Sequence, residues 1–277
     1  MKPVSTCLLA MTGLIAGPAF AQDDWDLGRD PERKLTIAAV TYDNFGVAVR
    51  CMDDVMSVVV SGLQQGPGLR TIRHQLGDQP PMSGRWVSAA EGAAAFSVWP
   101  ASTAAYLARG GRWVLEAPDG ERIRRITVDI PASPAAVSEV FSACGRTLSP
   151  ATLDEEPAGE DFAGLRWVDV PVAEFPSRTN AQAGVAALTC TADRRGNMRG
   201  CRIESEFPEG AGFGRAAVIA AHRRGRVAAR PGGTTDIEGR KMAFLVRYNL
   251  NDEMPLPRGP SLLPARPEEQ TRPADAD

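Results

Sequence analysis

Histidine is scarce in this chain of 277 residues, which contains only His74 and His222. His74 falls in a predicted strand and His222 near the end of a predicted helix, and each is expected to be a surface side chain rather than a catalytic base. The sequence also lacks a Gly-x-Ser-x-Gly elbow, a phosphate-binding glycine loop and a His-Glu-x-x-His pair. We therefore predict no catalytic residue and no enzymatic activity.

Long apolar runs are absent as well, which argues against a transmembrane segment in the mature chain. Residues 1–21 instead have the features of a cleavable secretory signal. These features are Lys2, a short apolar core and Ala19-Phe20-Ala21 at the expected cleavage site. The predicted location is the periplasm, and an uncleaved inner-membrane anchor is the lesser alternative.

The remaining cysteines are predicted to form disulfides, because an exported protein folds in an oxidising compartment. There are four of them: Cys51, Cys144, Cys190 and Cys201. Residues 185–191 and 198–206 are typical of two strands of a hairpin, and a turn centred between Arg195 and Gly196 sets Cys190 opposite Cys201. We predict this bond and, by elimination, Cys51–Cys144. The alternative, a metal site, lacks a nearby histidine or third cysteine, so no metal or cofactor is predicted.

Composition divides the mature chain into segments and predicts an α+β protein of two small domains. Residues 34–147 form the first domain, mainly antiparallel, and residues 164–250 the second. Between them lies an acidic Pro/Gly linker at residues 148–163, and a Pro-rich tail predicted to be disordered follows at residues 251–277. Residues 22–33 are polar and are also predicted to be unstructured.

The first domain is predicted to hold seven strands and two helices. One helix is expected to be capped by Ser102, and the other begins at Ser133 with Pro134 in its first turn. The strand-end Cys51 and the later Ala143-Cys144-Gly145 are similar to small exported domains such as the invasion-associated locus B family. We infer no function from that similarity.

The second domain is predicted to be a β-hairpin, a helix and a final strand. Phe213, Ala217 and Ala220 recur at helical spacing within residues 212–224. Residues 241–248 alternate as in a half-buried strand, with one apolar face made by Met242, Phe244, Val246 and Tyr248. A three-stranded antiparallel sheet with one helix on its apolar face satisfies this pattern.

The landmarks of this second domain follow a known order: Gly184, Gly196, Gly212-Phe213-Gly214 and Arg230-Pro231. The pattern, over about 85 residues, resembles the C-terminal domain of TonB-family proteins. The resemblance implies that the edge of the last strand pairs with an extended segment of an outer-membrane receptor or another envelope protein. The residues it implicates are Lys241, Ala243, Leu245 and Arg247. Energy transducers carry a membrane helix and a long spacer before this module, so we expect an interaction role rather than energy transduction.

Positive charge is concentrated in the second domain, where residues 164–250 hold 14 Arg/Lys against 8 Asp/Glu. The candidate basic patch comprises Arg215, Arg223, Arg224, Arg226 and Arg230. It is either a solvated helix face or a contact for anionic envelope groups, such as lipid head groups or peptidoglycan carboxylates, and nucleic acid is not expected. Two alternatives to partner binding stay open: a disulfide-stabilised structural envelope protein, and an enzyme or small-ligand binder built in the first domain.

Overall fold

The computed structural model describes residues 25–66, 68–90, 93–149, 159–233 and 235–250. The predicted signal, the tail and most of the predicted linker lie outside these residues. Every strand pairing among the described residues is antiparallel, and three helices accompany the strands. The prediction of a mainly antiparallel α+β protein is therefore confirmed.

The first half is a nine-stranded sheet covered by two helices. Its strands are β1 (Asp26–Asp30), β2 (Leu35–Tyr42), β3 (Phe45–Met52), β4 (Val55–Ser61), β5 (Leu69–Leu76), β6 (Met82–Ser88), β7 (Ala94–Ser97), β8 (Gly111–Asp119) and β9 (Arg122–Ile130). Their order in the sheet is β1-β2-β3-β4-β7-β6-β5-β8-β9. Helices α1 (Pro100–Ala108) and α2 (Pro134–Ala143) pack on one face, where alternate valines of β3 and β4 and the apolar helix residues form one core.

Several local predictions for this half are wrong. Residues 22–33 contain β1, which pairs with β2, and the preceding Trp25 is buried and donates its indole N–H to the Pro131 carbonyl at 2.9 Å. Strand β6 was not predicted at all. Helix α1 begins at Pro100 instead of being capped by Ser102, whose hydroxyl donates back to the Trp99 carbonyl at 3.1 Å. Proline favours the first helical turn because its φ is already helical and its missing N–H needs no partner there.

The second half is a three-stranded sheet with one helix on its face, plus a two-stranded ribbon. The sheet has the order β12-β11-β14, and the ribbon pairs β10 with β13. The bounds are β10 (Leu165–Asp169), β11 (Ala183–Ala192), β12 (Met198–Phe207), α3 (Phe213–Arg224), β13 (Arg226–Ala229) and β14 (Lys241–Asn249). Helix α3 lies directly on β11, and a Cβ added at Gly184 would lie 2.3 Å from a ring carbon of Phe213. The ribbon was not predicted.

Both predicted disulfides are present. Cys51 at the end of β3 is bonded to Cys144 after α2, with Cα atoms 5.6 Å apart, and Cys190 is bonded to Cys201 with Cα atoms 4.0 Å apart. The predicted hairpin register is confirmed beside the second bond, where Leu188 lies opposite Ile203 and Thr189 opposite Arg202. Bulges shift the register on either side of this stretch.

The two halves share a third hydrophobic core. Val185 and Ala187 of β11 and Phe207 of β12 pack against apolar residues of the first sheet. Those residues include Val59, Val87, Phe96, Val98 and Trp99. A hydrogen bond from the Ser205 hydroxyl to the Val98 carbonyl, 2.7 Å long, crosses the same boundary. β11 is therefore covered on both faces, by α3 on one side and by the first sheet on the other.

Candidate functional site

The outer edge of β14 is the strand edge implicated by sequence, and part of it already carries a backbone partner. The Ala243 N–H donates to the Asp161 carbonyl at 2.7 Å, and the Asp161 N–H donates to the Ala243 carbonyl at 3.0 Å. Backbone groups of alternate residues point the same way in a strand, so those of Leu245 and Arg247 also face outward. Among the residues that the structure describes, none pairs with these two outward positions.

The side chains predicted to bind a partner do not form one exposed surface. Ala243 is 2% exposed and lies in the core shared by the two halves, and Leu245 packs against that core half-buried. Lys241 and Arg247 are exposed. The accessible part of the edge is therefore the backbone from Leu245 onward together with the Arg247 side chain. Sequence reasoning missed Asp161, which had been assigned to a linker.

A cleft of about 340 Å³ lies between the two halves, lined by apolar and acidic side chains. Its deepest acid, Glu204, is 3% exposed and accepts from Arg146 at 3.1 Å and Arg202 at 2.8 Å. Glu206 accepts from the backbone N–H groups of Gly212 and Gly214, at 3.2 and 2.6 Å, and so stabilises the start of α3. Glu204 and Glu206, at the base of this cleft, therefore both make contacts that stabilise the fold.

Glu209, at the rim of the same cleft, lies 3.9 Å from Arg50. Burial raises the pKa of the Glu209 carboxyl, the nearby Glu206 raises it further, and Arg50 opposes both. A cation–π contact places the Arg50 guanidinium 5.3 Å from the centre of the Phe96 ring. Arg50 therefore links the first sheet to the shared core and to Glu209 at once.

The five arginines of the predicted basic patch are dispersed. Arg215, in the first turn of α3, lines the cleft between the halves, whereas Arg230 donates to the Leu165 carbonyl at 3.0 Å. Arg226 is 3.6 Å from Asp169. Arg223 and Arg224 lie together in the last turn of α3, are exposed, and have no carboxylate of the described residues within ion-pair distance. Within the predicted patch, Arg223 and Arg224 are therefore the two neighbouring arginines whose charges are available to another molecule.

His74 is buried, so the prediction that it is a surface side chain is wrong. It is 6% exposed and packs edge-on against Tyr106 and Trp113, with ring centres 5.4 and 6.2 Å away. Burial lowers the pKa of His74 to about 4, and its Nδ1 has no hydrogen-bond partner within the described ranges. Every second residue of β5 is buried, including Ile72, His74 and Leu76. This alternation in the sequence is the signal from which the inward position of His74 could have been predicted. His222 is exposed, as predicted.

No cluster of three or more metal-ligating side chains occurs in the parts of the chain that the structure describes. Across the same residues, no helix is both long and apolar enough to span a membrane. Comparison of the chain with protein families, with curated proteins and with solved structures finds no match.

Proposed function

We propose that this protein binds an extended segment of a partner protein along the outer edge of β14, as an exported component of the periplasm. The resemblance to the TonB C-terminal domain implies a partner in the cell envelope, such as an outer-membrane receptor. The binding mode is strand addition, in which backbone N–H and C=O groups supply affinity and neighbouring side chains supply selectivity.

The observation that carries this proposal is the backbone bridge between Asp161 and Ala243. An edge strand is a template for pairing unless it is blunted, and here one residue of the same chain already pairs with it in antiparallel fashion. The bridge stops at Ala243, so a partner segment would extend the pairing over Leu245 and Arg247. Arg247, on the accessible part of this edge, favours a partner segment that carries acidic residues.

The test uses the full chain, because the shared core would be exposed in the isolated second half. Arg247→Pro removes one outward N–H and leaves the ladder to β11 intact, since Arg247 lies opposite Val185 at a position whose N–H points away from β11. Arg247→Ala, the matched control, removes the side chain and keeps the N–H. Immobilised wild-type and variant proteins are used to capture partners from envelope extracts.

We expect a captured envelope protein that the proline variant loses and the alanine variant retains at least in part. A photo-crosslinker at the exposed Asn249 should attach to the same protein, and one at the distant, exposed Ile123 should not. Circular dichroism and thermal unfolding establish that the proline variant is folded. Equal capture by the wild type and the folded proline variant would refute strand addition at β14.

A structural role in the envelope is the second candidate function, and the shared core favours it. Each half is cross-linked internally by one disulfide, and a continuous hydrophobic contact joins the two halves. Such cross-linking stabilises a protein outside the cell by several kcal/mol. The test compares envelope integrity in a strain whose gene is deleted and in a strain that carries Arg247→Pro. Impaired integrity in the deletion strain and normal integrity in the Arg247→Pro strain would favour the structural role over partner binding.

A further inference from the structure

Exposed apolar side chains gather on one side of the second half. Val168, Val170 and Val172 are 49%, 63% and 72% exposed, and we call them the valine ridge. They alternate along the chain from the end of β10 onward and line one groove together. Ile219 of α3, 41% exposed, shares a second groove with Val172. Single exposed apolar residues need no explanation, but four in one place mark an interaction surface.

The unpaired arginines at the end of α3 lie in the same place. Arg223 and Arg224 line both grooves with Val172, and the grooves have volumes of about 450 and 480 Å³. A third exposed cation, Arg195, stands in the hairpin turn that is tied to β13 by a 2.8 Å bond from the Val227 N–H to the Gly196 carbonyl. The apolar ridge therefore adjoins cations that have no carboxylate partner among the described residues. Two carboxylates line the same grooves: Glu174 lines the first, and Asp169, 3.6 Å from Arg226, lines the second.

We propose that the valine ridge and Arg223–Arg224 dock this protein onto the surface of a bilayer rich in acidic phospholipids. Peripheral membrane binding needs apolar side chains that enter the acyl boundary and cations that meet the head groups, and this surface supplies both. A protein partner would need a matching surface of about 800 Å². The ridge residues are exposed over about half or more of their surface, which suits a fluid bilayer that conforms to them. The proposal does not depend on partner binding at β14.

The experiment is co-sedimentation of the full chain with vesicles of phosphatidylglycerol, and with vesicles of phosphatidylcholine as the neutral reference. Val170→Asn with Val172→Asn tests the ridge, and Arg223→Gln with Arg224→Gln tests the cations. Matched controls lie on β9 of the first half, where Ile123 is 65% exposed and Arg122 and Arg125 are exposed. The control variants are Ile123→Asn and the double substitution Arg122→Gln with Arg125→Gln.

We expect binding to phosphatidylglycerol to fall about 30-fold in the arginine variant, at roughly fivefold for each of the two cations lost near an acidic surface. The ridge variant should lose about tenfold, and both controls should bind as the wild type does. If all four variants bind the vesicles as tightly as the wild type, another part of the chain carries the membrane affinity and the proposal is overturned. If only the arginine variant loses vesicle binding, the surface is a site for any polyanion, including an acidic protein. That outcome would also overturn docking through the ridge.

Discussion

Arg146, three residues beyond the end of α2 in the first half, contacts Glu204 on β12 in the second half, with Nη1 and Oε2 3.1 Å apart. The Glu204 side chain is 3% exposed and that of Arg146 is 17% exposed, so the pair is almost fully withdrawn from water. Removing one partner of a buried pair leaves an under-compensated charge. We expect Arg146→Ala to lower the free energy of unfolding by about 2 to 4 kcal/mol in urea titrations, since Arg202 still neutralises Glu204 in part.

The control for this prediction is a solvent-exposed pair of the same residue types. Arg29 and Glu139 are 2.8 Å apart, with side chains 56% and 54% exposed. Exposed pairs contribute little because solvent screens them, so Arg29→Ala should cost less than about 1 kcal/mol. A cost for Arg146→Ala no larger than that for Arg29→Ala would contradict the view that this contact stabilises the junction of the two halves.

Gly184 of β11 lies directly beneath the ring of Phe213, and this close approach predicts a strong effect of a single methyl group. A Cβ at residue 184 would overlap the ring, so Gly184→Ala should lower the unfolding free energy by about 3 kcal/mol or more. Gly159 has open space around its Cβ position, and Gly159→Ala should be neutral within about 0.5 kcal/mol. In the Phe213→Ala background, Gly184→Ala should cost less, because the overlap is gone. Strict additivity would contradict this explanation.

The two disulfides close loops of very different length, with sequence separations of 93 for Cys51–Cys144 and 11 for Cys190–Cys201. A cross-link restricts the unfolded chain more when the loop is longer. Replacing both cysteines of the first pair with serine should cost about 4 to 5 kcal/mol, against about 3 kcal/mol for the second pair. Urea unfolding of the two double-serine variants measures the difference, and a larger cost for Cys190–Cys201 would contradict it.

His74 predicts how stability responds to mild acid. Its pKa is lowered by burial from the ordinary 6.5 to about 4, so the unfolded chain takes up the proton first as the pH falls. The contribution of His74 is therefore complete above pH 6.5 and declines as the pH falls toward 4. His74→Gln should reduce the loss of unfolding free energy between pH 7 and pH 5 by about 2 kcal/mol.

The exposed His222 provides the matched control, since the chain has no other histidine. His222→Gln should keep the full pH dependence of the wild type. If His74→Gln has the same loss between pH 7 and pH 5 as the wild type, carboxylates rather than His74 govern the acid response.

Local patterns predicted much of this fold. The hairpin of β11 and β12, its register beside Cys190 and both disulfides follow from short-range spacing, because a turn and two alternating strands determine which residues face each other. The limits of α2, α3 and β14 follow from proline, glycine and apolar periodicity in the same way. These features depend on neighbours that lie close along the chain.

Other missed features depend on pairings between distant residues. The ribbon joins Leu165 to Ala229, and no local pattern identifies such a partner. The shared core uses Val185 and Ala187, which alternate with residues facing α3, so sequence alone does not distinguish a strand covered on one face from one covered on both. The same ambiguity placed Ala243 on an exposed edge face when its side chain is buried between the halves.

The core shared by the two halves also affects the state of the chain while it is being synthesised or refolded. Phe96 and Trp99 belong to the first half, and the strand that covers them, β11, begins more than 80 residues later at Ala183. A nascent or partly refolded chain thus holds a finished nine-stranded sheet whose second face is still open to water. Transiently exposed apolar surface of this kind favours aggregation. We therefore expect chain truncations just before β11 to be poorly soluble, although every strand of the first sheet is present in them.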